Sequence, residues 1–211
     1  PSPAPPTSLE GIYFVVHRSA DAQAVYGLCQ EVASSLSCPH MSFEEAMNAE
    51  SAVPGSELSE YRAGQSSLLG IRALPLTLCA GVLLRAIGRV LATAAAMAGP
   101  GRSLPTGARV IVSGFPRNKH AAVAMREAKR CVGGAEGAAA RLRALCVRGY
   151  GDASEPAGDA TLEQLVTHLR EHGTLVEVDG QADAATVRSR MHTALLEVDP
   201  AGSPAAFLKQ A

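Results

Sequence analysis

Tryptophan is absent from this 211-residue sequence, and four Phe and four Tyr bring the aromatic content to only 4%. A core built without large rings must rely on small aliphatic side chains, which bury less apolar area per residue. An excess of either charge is missing too: 19 Lys and Arg against 20 Asp and Glu leave a formal net charge of −1. That balance provides no electrostatic footprint for nucleic acid. The five Cys, at positions 29, 38, 79, 131 and 146, show no CxxC or other metal spacing, and their odd number argues against a disulfide framework. A reducing interior is expected, with cytoplasm, cilium or flagellum, and mitochondrion left undistinguished. No basic start with an apolar run opens the chain, which begins at Pro1, so a processed protein or a piece of something longer is expected.

What is present is a hydrophobic content of 47%, enough for one domain with a substantial core. Pro1 to Ser8 reads as an extended Pro-rich linker. Gly11 to Val16 (GIYFVV) predicts a buried strand, and Val25, Leu28, Val32 and Leu36 mark one face of a helix over Asp21 to Ser37. Met41 to Ala49 predicts a second helix with Ser42 as N-cap and Glu45 completing a capping box, and Ser56 to Gly64 a short third one. Ala73 to Ala98 is long and very apolar. Arg109 to Asn118 (RVIVSGFPRN) organises the rest: Val110 to Val112 reads as a buried parallel strand, and the following turn sets Arg117 at its carboxyl end, where α/β sheets keep their ligands. Beyond it the pattern predicts a helix over His120 to Lys129, a short strand at Arg130 to Val132 and a helix from Ala135 to Cys146. A loop over Arg148 to Asp159, a helix over Thr161 to His172, a strand over Leu175 to Val178 and a last helix over Asp183 to Leu196 follow. Strands separated by helices predict a parallel sheet of four or five strands covered on both faces.

GFPRN after a β-branched strand resembles the signature of the adenylate kinases and UMP-CMP kinases. Four weaker matches run colinear with it over about residues 11 to 198. Where that family has the phosphate loop GxPGSGKGT, this chain reads His17-Arg18-Ser19-Ala20-Asp21-Ala22-Gln23-Ala24-Val25. The glycines that let backbone N–H groups close on phosphate are gone, Gln23 stands in the place of the phosphate-binding Lys, and Val25 in that of the hydroxyl. Asp21 adds a negative charge there. Met41 to Glu50 (MSFEEAMNAE) is similar to LSTGDLLRAE, with Asn48 for the Arg that grips the monophosphate. Ser113 replaces the Asp of DGFPR that helps order Mg²⁺. Leu165 to Gly180 looks like the family's closing helix, Gly turn and strand, and the arginine-rich lid is reduced to Arg148 to Asp159.

The resemblance implies a P-loop-NTPase-like three-layer α/β fold: a central parallel sheet flanked by helices, a small helical insertion near residues 42 to 70 and a truncated lid. Residues 1–10 would be linker, 11–198 the kinase-like domain and 199–211 a tail. With loop glycines, Lys, hydroxyl, Arg and Asp replaced together, the expectation is a catalytically inactive module of a larger protein assembly, without cofactor or metal. The alternatives are a nucleotide sensor without phosphoryl transfer, using Arg117 with Arg141, Arg143 or Arg148, and a rebuilt active kinase using His17 and Arg18. Arg117 could equally pair with Glu44 or Glu45, or stay solvated. His168 and His172 share a helix face but show no third metal ligand. In the Ala73 to Ala98 segment, Arg85 and Arg89 would each cost roughly 2.5–3.5 kcal/mol at a membrane centre, so no span is expected. A helix this apolar must be covered nearly all round, which makes Leu76, Val82, Leu83, Leu84, Ile87 and Leu91 candidate partner-binding residues.

Overall fold

Consecutive apolar side chains in an extended segment point to both sides of a sheet, so GIYFVV demands cover on both faces. It forms β1 (Leu9–Val16), with Ile12 to Val16 all buried. The structure, a computed structural model, describes residues 9–17, 22–63, 74–97, 108–132, 141–148, 150, 160–173 and 175–197. The expected linker over 1–8, the tail over 199–211 and nearly all of the expected lid lie outside the described residues.

Strand β1 is flanked by β3 (Ala108–Ser113) and β4 (Arg141–Arg148), which are flanked in turn by β2 (His40–Ser42) and β5 (Leu175–Asp179). The sheet order is β2-β3-β1-β4-β5, every pairing parallel, with Ile12 opposite Val110 and Leu142 and Phe14 opposite Val112 and Ala144. Even-numbered β1 residues face α2 (Phe43–Ser51), α3 (Glu57–Ala63), α4 (Leu76–Met97), α5 (Lys119–Val132) and α6 (Ala160–Glu171). Odd-numbered ones face α1 (Ala22–Ser35) and α7 (Ala184–Glu197). The result is the expected three-layer α/β fold with a helical insertion, α2–α3.

Three expectations are corrected. Arg130 to Val132 is the last turn of α5, and Arg141 to Cys146 is strand, not helix. RLRALCVR is rich in helix-forming Arg, Leu and Ala, but pairing on both sides with β1 and β5 outweighs that local preference. Strand β2 was hidden because its three residues run directly into the cap of α2.

The third correction concerns α4. Val82, Leu83 and Ile87 are fully enclosed by the chain's own core, and Leu76, Leu84 and Leu91 pack half-buried against it. Val82, Leu83 and Ile87 therefore offer no surface to a partner, while Leu76, Leu84 and Leu91 keep part of theirs exposed. The segment Leu76–Thr93 is long and apolar enough to cross a membrane by length and composition. Its buried side lies in this core, and its outer side carries Arg85 and Arg89. Both arginines reach Glu50 at the end of α2, whose side chain is only 6% exposed: Arg89 Nη2 lies 2.6 Å from Oε2 and Arg85 Nη2 lies 3.3 Å from Oε1. Burial pushes the Glu50 carboxyl up, but the two guanidinium groups outweigh it and hold it below its ordinary value.

Because the folded-state value is depressed, this contribution is present above the unfolded Glu value of about 4.3 and is lost as pH falls through the folded one. Glu50→Gln is expected to cost about 2 kcal/mol at neutral pH, with the deficit shrinking below about pH 4.3, as read from urea midpoints. Gly180, which follows β5, donates its N–H to the Arg148 carbonyl at 2.6 Å, and an added Cβ would meet that oxygen at 2.6 Å and Tyr150 at 2.8 Å. Gly180→Ala should therefore destabilise by roughly 1–3 kcal/mol through a backbone shift, measurable by the same unfolding curves.

Candidate functional site

The carboxyl ends of β1 and β3 lie side by side, and between them and the first turn of α2 opens a crevice of about 210 Å³. Val16, His17, Ala22, Glu44, Pro116 and Arg117 line it. Sequence and fold agree on why Arg117 is there. Val112 and Ser113 end the strand, Gly114 turns the chain at φ 80°, the Phe115–Pro116 bond is cis, and Asn118 caps α5 by accepting the Ala121 N–H at 2.9 Å. Phe115 packs against Phe43 and Phe14 with ring centroids 5.0 and 6.2 Å apart, anchoring the turn in the core.

The charge of Arg117 is already engaged. Its Nη2 donates to Glu44 Oε1 at 2.9 Å, its Nε donates to the Gly114 carbonyl at 3.1 Å, and its guanidinium lies 5.9 Å from the centre of the Phe43 ring. This is one of the arrangements the sequence left open. Both partners of the ion pair are substantially exposed, 43% for Arg117 and 65% for Glu44.

On the other wall, Gln23 is exposed on the first turn of α1, and Val25 is fully buried against the α1–α7 side of the sheet. A side chain committed to the core cannot turn to a ligand. His17 is half-buried at the end of β1, while Arg18, Ser19 and Asp21 lie outside the described residues. Asn48 is exposed on α2. Ser113, only 3% exposed, has its Oγ 3.0 Å from His40 Nε2, so the position resembling the Mg²⁺-ordering Asp carries a neutral hydroxyl facing a neighbouring strand. His40 rests edge-on against Tyr26, which donates to Glu45 Oε1 at 2.7 Å, and the Ser42–Glu45 capping box closes as expected.

Arg143 and Arg148 do not line the crevice. Arg148 sits at the end of β4 with Nε on Glu177 at 2.8 Å and a forked contact to Glu163 at 2.9 and 3.3 Å. Arg143 donates from Nη1 to the Gly173 carbonyl at 3.0 Å, and the side chain of Arg141 lies outside the described residues. Cys29 is pushed up to about 12 by burial, and Cys38 and Cys146 to about 11, so these thiols behave as core residues.

Two groupings escaped the sequence reading. Glu50 was invisible as a buried charge because its partners lie on another helix. His168 and His172 do have a third acid–base neighbour: with Glu171 they bring ligand atoms within 4.8 Å of one another, on the spacing i, i+3, i+4. That spacing was legible, but the Arg126 that joins them from α5 was not; its Nη2 lies 2.8 Å from His168 Nε2.

No family model matches the sequence, and no curated protein sequence does. Among solved structures, the chain is similar to a de novo designed P-loop fold protein studied by NMR, at 12% identity and a TM-score of 0.42. That match covers 90% of this chain and 94% of the design. It is also similar to a gluconokinase from Sinorhizobium meliloti 1021, at 14% identity, a TM-score of 0.39 and the same two coverages. Likenesses this distant carry no argument about ligand or activity.

Burial holds His40 and His168 below their ordinary value, His168 also through His172 and Arg126. A depressed histidine leaves the unfolded chain binding more protons, so stability is expected to fall as pH drops below about 6.5. His40→Gln should flatten that slope, as measured by denaturation midpoints between pH 7 and pH 5.

Proposed function

We propose that this chain is an adenylate-kinase-like domain without phosphoryl-transfer activity, serving as a structural or interaction module within a larger protein assembly. The observation that carries the reading is the Arg117–Glu44 ion pair at the mouth of the crevice. Phosphoryl transfer rests on positioning and on neutralising developing charge, and one arginine of the finger type is worth about 10³–10⁵ in rate. Here the cation kept from the family signature already has its carboxylate. The buried Val25 and the Ser113–His40 contact support the same reading, because neither position offers a group to a nucleotide or its metal ion.

A second reading has its own observation. The ion pair is substantially exposed on both sides, and exposed pairs are worth only about 0–1 kcal/mol, so a phosphate could displace Glu44 and make a charge-assisted contact with Arg117. The domain would then be a nucleotide sensor without chemistry.

One experiment separates the two. Calorimetric titrations of wild type, Glu44→Gln and Arg117→Ala with ATP and AMP, with and without Mg²⁺, are expected to give no saturable heat in any variant, and a coupled assay no turnover. Heat that strengthens in Glu44→Gln and vanishes in Arg117→Ala would establish the sensor; measurable ADP formation from ATP plus any monophosphate would sink both readings.

A further inference from the structure

Away from the crevice, the end of α6 carries a second group of chemistry-bearing side chains. His168, Glu171 and His172 stand at i, i+3 and i+4, a spacing that puts all three on one face of a helix. Their ligand atoms lie within 4.8 Å of one another, and among the described residues no other three His, Cys, Asp or Glu gather so closely. We propose that these three residues bind one Zn²⁺ ion, in exchange for the Arg126 guanidinium that now holds His168.

Hydrogen-bond directions carry the argument. A carbonyl can only accept, so His172 Nδ1, 2.7 Å from the His168 carbonyl, is the donor, and the neutral ring keeps its lone pair on Nε2. An N–H given to a backbone carbonyl is the arrangement that fixes the tautomer and orientation of metal-binding histidines. A guanidinium can only donate, so His168 Nε2, 2.8 Å from Arg126 Nη2, accepts. Both neutral rings therefore carry the proton on Nδ1 and the lone pair on Nε2, with ring centroids 4.3 Å apart. The His168 lone pair already faces a cation.

Access and charge fit the exchange. Glu171 and His172 are exposed and His168 is half-buried, so an ion reaches the group from solvent. Arg170 turns away to Glu177, and Glu171 forms no ion pair with Arg or Lys among the described residues. The carbonyl end of α6, where the helix dipole is negative, favours a cation here, while Lys119 and Arg126 on α5 and Arg143 on β4 oppose one. Departure of Arg126 removes the nearest of those opposing charges. Two imidazoles and one carboxylate form a donor set suited to zinc, and three protein ligands leave its fourth position to water. Mg²⁺, which prefers oxygen ligands in octahedral geometry, does not suit it.

The test titrates the whole chain with Zn²⁺ in competition with a chromophoric chelator. One ion per chain is expected, undisturbed by excess Mg²⁺. His172→Gln, at an exposed position, should weaken binding about tenfold or more. Arg126→Met keeps the aliphatic stem but removes the competing cation, and should tighten binding several-fold, a gain that a merely structural role for Arg126 would not give. In NMR of the wild-type chain, Zn²⁺ should move the ring signals of His168 and His172 and leave that of His40 in place. If Arg126→Met fails to fold, those ring signals decide. Binding that does not saturate, that survives His172→Gln undiminished or that weakens in folded Arg126→Met would overturn the proposal, as would ring shifts confined to other histidines.

Discussion

Everything in this domain depends on β1 being a central strand buried on both faces. A strand with neighbours on each side has no open edge, and one apolar on each face requires a helical layer above and below. Those two conditions account for the order of the sheet, for α1 and α7 on one side, and for the five other helices on the opposite one. They also explain how so few aromatic residues suffice. Val, Ile, Leu, Ala and Met fill both layers, and the rings of Phe14, Phe43 and Phe115 are concentrated at one point, where the β3 turn and α2 meet the sheet.

At that point the chain keeps the outline of a ligand crevice while spending its charges internally. Arg117 is turned to Glu44, Ser113 to His40, and at the end of β4 Arg148 is shared between Glu163 and Glu177, with Arg170 also on Glu177. An anion arriving at Arg117 must compete with the Glu44 carboxylate already in place.

Much of this was legible in the residues. The six-residue run GIYFVV could hardly be anything but a buried strand, the Ser42–Glu45 box announced α2, and the GFPRN turn placed Arg117 at a strand end with Glu44 as a stated alternative partner. Local preference misled at β4, where Arg, Leu and Ala are helix formers and the strand state is imposed by neighbours far apart in sequence. Charge pairing between elements was the other blind spot. Nothing near Glu50 in the chain announces Arg85 and Arg89, and nothing near His168 announces Arg126. Periodicity finds which face of a helix is buried, but it does not say what lies against that face, which for α4 is the domain's own core.

The contact between Glu50 and α4 also bears on mechanics. A domain that closes over a ligand needs a compliant joint between its insertion and its body. Here the end of α2 is tied to two successive turns of α4 through one shielded carboxylate, while Ser56 Oγ donates to the Glu50 carbonyl at 2.8 Å just before α3 begins. Swinging the insertion outward would strip a buried anion of both its counterions. One carboxylate thus ties the α2–α3 unit to α4, the longest helix among the described residues.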